Sequence, residues 1–342
     1  MEERELMDNN SIWMVELFSD LHIRQWDEFV MNNSLNGTFL HTRNFLNYHK
    51  AGKFEDMSLE IYKKNKLVAV CPACLIHEDG KNVFYSHKGS TYGGIVFSRE
   101  IYRAQDIMKL VEVVEHYLRD KGINKIIMRL TPDIYCKSTV SLFEYMLRYY
   151  GYFSYVDLNT YVDLECDDTE IRKKIDRNKK RNIDKCEDNN LWFHKLDTNE
   201  ELTQFYQLLK VNLYKYGVKP IHSLDEILEF HQDRLKNQTL FYGVGKKNQL
   251  LAAGMMFVFE RTKILHAQNL SYNPFVKRDY SPITYLYYKI IMQAKKKGFS
   301  KLTWGISTEE CGKKLNMGLI RNKESYGSEY FLNAVYFKIL TE

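Results

Sequence analysis

Residues 239–270 read TLFYGVGKKNQLLAAGMMFVFERTKILHAQNL. Three runs of apolar, aromatic and β-branched residues follow one another here, at Thr239 to Val244, Leu250 to Phe259 and Ile264 to Leu270. The break at residues 245–248, Gly-Lys-Lys-Asn, is a turn signal between the first two runs. The stretch therefore predicts three consecutive strands joined by hairpin-like turns.

The residues on either side extend this pattern. A strand and two helices are predicted before the three strands. A helix from Pro282 to Lys297 follows them, with Pro near its first turn and Gly298 at its stop. The first half of the chain gives the same order, with its three strands near Ser58 to Tyr62, Leu67 to Ile76 and Asn82 to Ser86. Both halves therefore predict one architecture.

Short motifs also recur in the two halves, in the same order and at nearly constant spacing. The paired positions are Trp13 with Trp192, Phe45–His49 with Ile227–His231, Lys63–Leu67 with Lys246–Leu250, and Lys121–Lys125 with Lys297–Lys301. Each matching pair alone is weak evidence for a repeat, but the ordered set indicates a duplicated domain.

Composition limits the class of protein. The chain has 342 residues, of which 44% are hydrophobic, enough for two cores of ordinary size. No apolar run approaches a membrane span, and the acidic N-terminal residues 1–10 do not resemble a secretory signal. Six cysteines at irregular spacing argue against a disulfide framework, and the Cys71–Cys74 pair reads as core. We expect a cytoplasmic protein that holds no metal.

The positive charge is concentrated in one segment. Residues 171–185 read IRKKIDRNKKRNIDK and carry eight Lys or Arg and two Asp, whereas the net charge of the whole chain is +5. Apolar residues within it lie at helical spacing. The segment predicts a basic helix at the junction of the halves, serving as a phosphate-binding surface or as a solvated linker.

Several motifs carry a resemblance to a known family. They are Tyr280-Ser281-Pro282, Gly298, Trp304-Gly305, LNMGLIRNKESYGSE at Leu315 to Glu329, Ser86-His87-Lys88-Gly89 and Tyr92-Gly93-Gly94. Together with the element order they resemble tandem GNAT proteins of the FemAB-like class, over nearly the whole chain. The resemblance implies an α/β (mixed α+β) fold of two tandem GNAT-like domains, each a mixed, largely antiparallel sheet flanked by helices. The expected domains are residues 1–166, a basic linker helix at 167–190, and residues 191–342, which bind the acyl donor.

The family transfers acyl groups to amines, so the resemblance implies acyl-CoA as co-substrate. Its pyrophosphate would meet the start of the helix at Pro282, where backbone N–H groups favour anions. Residues 275–284 lack the usual Gly-rich pattern, and Lys277 and Arg278 could supply charge instead. A solvated basic loop is the alternative. The expected cofactor-binding residues are Lys277, Arg278, Tyr280, Ser281, Ile283, Thr284 and Asn316.

The acceptor is less closely defined. The sequence lacks the long helical-hairpin insertion typical of aminoacyl-tRNA-dependent members, and the compact form is similar to N-acyltransferases of nucleotide-linked amino sugars in bacterial surface-polysaccharide biosynthesis. We expect a dTDP-3-amino-3,6-dideoxyhexose as the acceptor, with small-molecule partners and no nucleic acid. The alternatives are an aminoacyl-tRNA-dependent peptidoglycan transferase and a non-catalytic binding protein.

By the same resemblance, the reacting carbon lies where the strand at Ile264 to Leu270 diverges from the strand at Lys301 to Ile306. Polar residues there make His266 and Asn269 catalytic candidates, with Asp279 as a base and Tyr285 as an acid or donor. Glu309 is a second possible base. Since an amino-sugar amine with a pKa of about 8 costs only about 1.4 kcal/mol to deprotonate at pH 7, positioning should dominate catalysis.

The acceptor-binding candidates lie in three places. Glycine in Tyr92-Gly93-Gly94 permits close approach of a ligand to the backbone near His87 and Lys88, although a tight loop explains it equally well. Arg177 and Arg181 of the basic segment, and Trp304, complete the expected substrate-binding set.

Overall fold

The computed structural model describes residues 13–48, 52–275 and 279–340. The strands are β1 (Trp13–Leu17), β2 (Glu55–Asp56), β3 (Leu59–Lys63), β4 (Lys66–Cys71), β5 (Cys74–Glu78), β6 (Lys81–Ser86), β7 (Val96–Phe97), β8 (Lys125–Arg129), β9 (Phe153–Asp163), β10 (Trp192–Lys195), β11 (Thr239–Lys246), β12 (Gln249–Phe259), β13 (Ile264–Tyr272), β14 (Lys301–Ile306), β15 (Thr308–Glu309), β16 (Lys314–Leu315) and β17 (Glu329–Ile339). The helices are α1 (Ile23–Glu28), α2 (Arg43–Leu46), α3 (Ala104–Asp120), α4 (Ser141–Tyr149), α5 (Asp168–Lys174), α6 (Arg177–Asp188), α7 (Asn199–Tyr214), α8 (Leu224–Glu229), α9 (Pro282–Lys296) and α10 (Met317–Glu324).

The chain divides into two compact units. The first comprises Met1–Val156 and Leu332–Glu342, and the second comprises Asp157–Phe331. The predicted domains 1–166, 167–190 and 191–342 differ from these units in three respects: residues 157–166 and the predicted linker 167–190 belong to the second unit, and most of the last strand belongs to the first. Most of β17 belongs to the first unit because it pairs antiparallel with β8, from Val335↔Arg129 to Ile339↔Lys125. The assignment of acyl-donor binding to residues 191–342 stays a prediction.

In the first unit, β1, β3, β4 and β7 form one antiparallel sheet. A second group of strands contains β17, β8, β6, β5 and β2, in which only the β6–β8 pair is parallel. Helix α3 buries Ile107, Leu110, Val114 and Leu118 in the core of this unit at helical spacing. The predicted strand from Leu67 to Ile76 is wrong, because it breaks at Pro72 into β4 and β5, which belong to different groups of strands.

In the second unit, β10, β11, β12 and β13 pair antiparallel in sequence order, which confirms the predicted three-strand stretch. Strand β14 then pairs parallel with β13 and antiparallel with the second half of β9. Helix α9 supplies the parallel crossover and buries Leu286, Ile290 and Ile291 against this sheet. Both units therefore contain mixed, largely antiparallel strands flanked by helices, as predicted.

Two of the repeated motifs have the same structure in both units. Lys63–Leu67 and Lys246–Leu250 form tight hairpins, with Lys64 and Lys247 both in the left-handed region at φ 51°. Gly122 and Gly298 end their helices at φ 70° and 79°, and each leads into the second strand of the parallel pair. The Phe45–His49 motif ends at His49, which lies outside the described residues, as do residues 1–12, on which the signal-peptide expectation rests.

The basic segment folds as two helices, α5 and α6, separated at Ile175 and Asp176. Its apolar residues Ile171, Ile175, Ile183 and Cys186 are all buried and belong to the core of the second unit. Arg177 and Arg181 remain exposed. The segment is therefore part of this unit's core on one face and a cationic surface on the other.

We predict that Ile183→Ala lowers the free energy of unfolding by about 2–5 kcal/mol, because it leaves a cavity in this core. Arg181→Ala, two residues away and exposed, is the control and should change it by less than about 0.5 kcal/mol. Urea denaturation followed by tryptophan fluorescence measures both. An Ile183→Ala protein as stable as the control variant would show that the segment is only a linker.

Candidate functional site

The parallel pair in the second unit separates part-way along its length. Strands β13 and β14 pair from Ile264↔Lys301 to His266↔Thr303 and no further. Strand β13 then continues to Tyr272 against β12, while β14 continues to Ile306. A notch therefore opens after His266 and Thr303, where the resemblance places the reacting carbon.

A bulge next to the notch sets which side chains face it. Met256 pairs with Ala267 and Met255 pairs with Asn269, so Gln268 is an extra residue in β13. Residues three apart in a regular strand point to opposite faces, but this bulge returns Asn269 to the face that carries His266. The two residues predicted first for catalysis therefore lie on the same face of β13.

His266 is buried and its Nδ1 lies 2.8 Å from Thr303 Oγ1. Burial is the main cause that lowers its pKa to about 4, and the nearby charge of Lys323 lowers it further. The ring is therefore neutral at physiological pH. A neutral imidazole can accept a proton or orient a polar group, but it cannot serve as a cationic donor there.

Lys323 is the residue that the sequence analysis missed. Its side chain is buried, and Nζ donates to the carbonyl oxygens of Gly305 and Ile306 and to Ser307 Oγ, each at 2.8 Å. Burial lowers the pKa of this ammonium group to about 7. All three N–H donors are used within the protein, so Lys323 fixes the chain beyond the notch rather than offering a free donor.

Gly305 connects the lysine to the histidine. Its φ of 72° is in the left-handed region, and a Cβ there would lie 3.7 Å from His266 Cε1. A glycine suits this position because other residues rarely adopt the conformation. The Lys323 hydrogen bonds hold that conformation, so His266, Thr303, Gly305 and Lys323 form one cluster.

Trp304 lies beside this cluster in an aromatic group. Its ring centroid is 4.9 Å from Tyr287 and 6.3 Å from Tyr326, and its Nε1 donates to Ser328 Oγ at 2.9 Å. Lys179 of α6 donates to Asn322 Oδ1 and lies 5.0 Å above the Tyr326 ring. Trp304 is therefore packed and 7% exposed, with a supporting position behind the notch.

The predicted cofactor residues lie at the starts of two helices. Ser281 caps α9, where its Oγ accepts from Thr284 N, and Thr284 Oγ1 donates to Ser281 Oγ at 2.9 Å. Tyr280 and Ile283 pack partly against the core. Asn316 instead caps α10, accepting from Leu319 N at 2.9 Å. Lys277 and Arg278 lie outside the described residues.

Two predicted catalytic residues are not in the notch cluster. Asp279 is exposed, and its backbone carbonyl accepts from Lys185 Nζ. Tyr285 belongs to the core on the α9 side of the sheet, together with Leu265, whereas His266 faces the other side. Burial raises the pKa of Tyr285 to about 12, which makes it a weak acid. Glu309, the other possible base, accepts from Asn316 Nδ2.

The first unit contains a separate polar cavity of about 570 Å³. Arg43, Asp56, Ser58, His87 and Phe18 contribute to its lining. Burial lowers the pKa of His87 to about 4, so this ring is neutral as well. Of the four substrate-binding candidates predicted in this unit, only His87 lines the cavity.

The other three candidates have different settings. Lys88 is exposed. Tyr92 is in the core, with its ring centroid 5.1 Å from that of Tyr135. A Cβ on Gly93 would lie 2.2 Å from the backbone oxygen of Ser86, so the close approach to this glycine is made by the protein itself. The tight-loop interpretation accounts for Tyr92 and Gly93.

Arg43 is the central cation of the cavity. Its guanidinium donates to Ser58 Oγ at 3.1 Å and to Asn47 Oδ1 at 2.8 Å, and pairs with Asp56. It also lies 4.1 Å above the Phe18 ring. Among the described residues its buried Nε has no hydrogen-bond partner. A buried N–H without a partner is uncommon, and here it belongs to a residue that lines a cavity.

Comparison with known proteins supports the fold. No family model matches the chain, and no curated protein matches its sequence. Among solved structures it is similar to FemX, with a TM-score of 0.68 at 11% identity over 96% of this chain and 97% of that one. It is also similar to L-PGS from Bacillus licheniformis, with a TM-score of 0.60 at 12% identity over 96% of this chain and 94% of that one. A tandem GNAT protein from the clavulanic acid biosynthesis pathway gives a TM-score of 0.55 at 8% identity over 96% of this chain and 99% of that one. The predicted class, an α/β tandem GNAT-like fold, is confirmed.

Two features are absent from the residues that the structure describes. No helix among them is long and apolar enough to cross a membrane. No group of three or more His, Cys, Asp or Glu among them is placed to hold a metal ion.

The lowered pKa of Lys323 predicts how the stability of the fold changes with pH. Above about pH 7 the folded protein has lost this proton, whereas an unfolded lysine keeps it to about pH 10. The stability of the wild type relative to Lys323→Met should therefore rise with pH across this window, by up to about 1.4 kcal/mol per unit. Urea unfolding at several pH values measures it, with the exposed Lys313→Met as a matched control. A difference independent of pH would contradict the buried, shifted lysine.

Proposed function

We propose that the chain is an N-acyltransferase that moves an acyl group from acyl-CoA to the amine of a nucleotide-linked amino sugar, for bacterial surface polysaccharide. The observation that carries the proposal is the strand divergence after His266 and Thr303, with Asn269 on the same face and Lys323 fixing the far side. The tandem GNAT fold supports the reaction class, and the sequence resemblance supports the sugar acceptor.

In this proposal the neutral amine attacks the thioester carbon directly. A C–N bond forms, the C–S bond breaks, and the amine proton passes to the departing thiolate, directly or through solvent. Because deprotonating such an amine at pH 7 costs only about 1–1.4 kcal/mol, a weak base is sufficient. His266 is neutral and is proposed as that base or as an orienting group, and Asn269 is proposed to orient the acyl oxygen or the amine.

Lys323 is a positioning residue in this scheme. Its three hydrogen bonds hold residues 305–307, and so set the width of the notch between β13 and β14. Its charge, in a site shielded from water, also favours negative charge developing nearby. Asp279 and Tyr285 have no role in this scheme, because Asp279 is exposed and Tyr285 packs in the core on the α9 side of the sheet.

Ligand binding is assigned to separate features of the two units. The acyl donor is proposed to bind at the second unit, with its phosphates near the start of α9 at Ser281. The Arg43 cavity of the first unit is proposed as a separate binding site for a nucleotide, since its volume of about 570 Å³ suits one part of such a ligand. Arg43 is a cation in its lining, and a planar guanidinium suits a phosphate oxygen.

A second candidate function is aminoacyl transfer from tRNA. The overlap with FemX along 96% of this chain favours it, because the FemAB-like class that the sequence resembles includes such enzymes. The exposed arginines of α6 would then meet RNA phosphates. Activity that is lost after ribonuclease treatment, and that requires charged tRNA, would replace the acyl-CoA proposal.

The acyl-CoA reaction is tested by mass spectrometry of the protein with acetyl-CoA and a panel of dTDP-linked 3-amino sugars. We expect a product one acetyl group heavier, and a kcat reduced about a hundredfold in His266→Ala and in Asn269→Ala, because both position reactants. The exposed His116→Ala is the control and should keep wild-type turnover. Full activity in both notch variants would remove the notch as the reaction site.

The Arg43 cavity makes a separate prediction. Arg43→Lys removes the planar fork but keeps the charge, so the Kd for dTDP should rise about tenfold while the Kd for CoA stays unchanged. Isothermal titration of the folded variant with each ligand measures both constants. Equal increases in the two Kd values, or an unchanged Kd for dTDP, would contradict the assignment.

A further inference from the structure

Tyr214, the last residue of α7, and the loop that follows it at residues 215–221 expose an unusual amount of apolar surface. Tyr214, Tyr216, Val218 and Ile221 are 76%, 66%, 52% and 73% exposed. Single exposed apolar side chains are ordinary, but four within one short loop make a patch of the kind that marks an interaction surface. We call residues 214–221 the apolar loop.

The charged side chains within the apolar loop have one sign, and acidic residues follow it at Asp225 and Glu226. Between Glu201 and Asp225 the sequence contains Lys210, Lys215 and Lys219 and no Asp or Glu. Two of these lysines lie within the loop itself and alternate with its apolar residues. A surface that combines aliphatic and tyrosine side chains with lysines complements a partner that is apolar inside and anionic at its edge.

The apolar loop is also held in place at both ends. At its start Gly217 N donates to Tyr214 O at 3.0 Å, and Lys215 Nζ lies 4.6 Å from the Tyr216 ring and 5.6 Å from the Tyr272 ring. At its end the Ser223–Glu226 capping box fixes the first turn of α8. The exposed side chains therefore project from a supported turn.

We propose that the apolar loop docks the protein on an anionic lipid membrane surface. Val218 and Ile221 enter the boundary between headgroups and acyl chains. Tyr214 and Tyr216 lie at headgroup depth, where an apolar ring with a polar tip is favoured. Lys215 and Lys219 pair with lipid phosphates. This docking needs no membrane-spanning segment and is independent of the proposed acyl transfer.

The contact with Tyr272 adds a consequence. Tyr272 is the last residue of β13, the strand that diverges at the candidate site. Docking through the apolar loop thus brings the end of that strand to the membrane surface.

The test is flotation of the full-length chain with vesicles of phosphatidylcholine alone and with vesicles of equal parts phosphatidylcholine and phosphatidylglycerol. We expect binding to the phosphatidylglycerol vesicles that weakens at about 0.5 M salt, since added salt screens the lysine charges. The double variant Val218→Ser and Ile221→Ser should bind about tenfold less, because it loses two inserted side chains. Lys219→Glu should lose most of the preference for phosphatidylglycerol.

Tyr145→Ser with Tyr149→Ser supplies the matched control, since these first-unit residues are 61% and 63% exposed and should leave binding unchanged. Wild-type protein that fails to float with phosphatidylglycerol vesicles overturns the proposal, as does a loop variant that floats like the wild type. A dimer on size-exclusion chromatography that the loop variant dissociates, without vesicle binding, would show instead that a second copy covers the loop.

Discussion

The candidate site depends on one buried ammonium group. Lys323 Nζ donates to two carbonyl oxygens and one hydroxyl of residues 305–307, immediately beyond the point where β13 and β14 part. A buried lysine is costly unless its donors are satisfied, and here all three are. Those bonds hold Gly305, whose left-handed backbone conformation lies beside the His266 ring. They add to the strand pairing beyond Thr303, where Ile306 pairs with Asn159 of β9 and Ser307 N donates to Leu158 O at 2.7 Å.

The same arrangement explains why the pKa values of the two ionisable groups in the cluster are lowered. Burial lowers the pKa of both His266 and Lys323, and the lysine charge adds to the effect on the histidine. A neutral imidazole next to a lysine that titrates near neutrality suits chemistry in which proton transfer is easy and alignment is the main requirement. The amine of an amino sugar is an acceptor of this kind.

Much of the fold could be predicted from local sequence because local chemistry determines it. Left-handed turns at Lys64 and Lys247, and glycine stops at Gly122 and Gly298, produce the same hairpin and crossover in each unit. The site was harder to predict. The bulge at Gln268 changes which face Asn269 occupies, and bulges leave no clear mark in an apolar run. Lys323 lies inside the LNMGLIRNKESYGSE motif, but its role arises from burial. The sequence alone does not show which of the 49 lysines and arginines is buried. Tyr285 lies on the α9 side of the sheet, because its position along the turns of α9 decides which way its side chain faces.

The central claim is that acyl transfer takes place at the strand divergence. The most direct measurement is a crystal structure of the protein with a non-hydrolysable acyl-CoA analogue. The account predicts the acyl carbonyl in the notch beyond His266 and Thr303, within hydrogen-bonding distance of Asn269 or the backbone of β13. An acyl group bound elsewhere, with an empty notch, would contradict it.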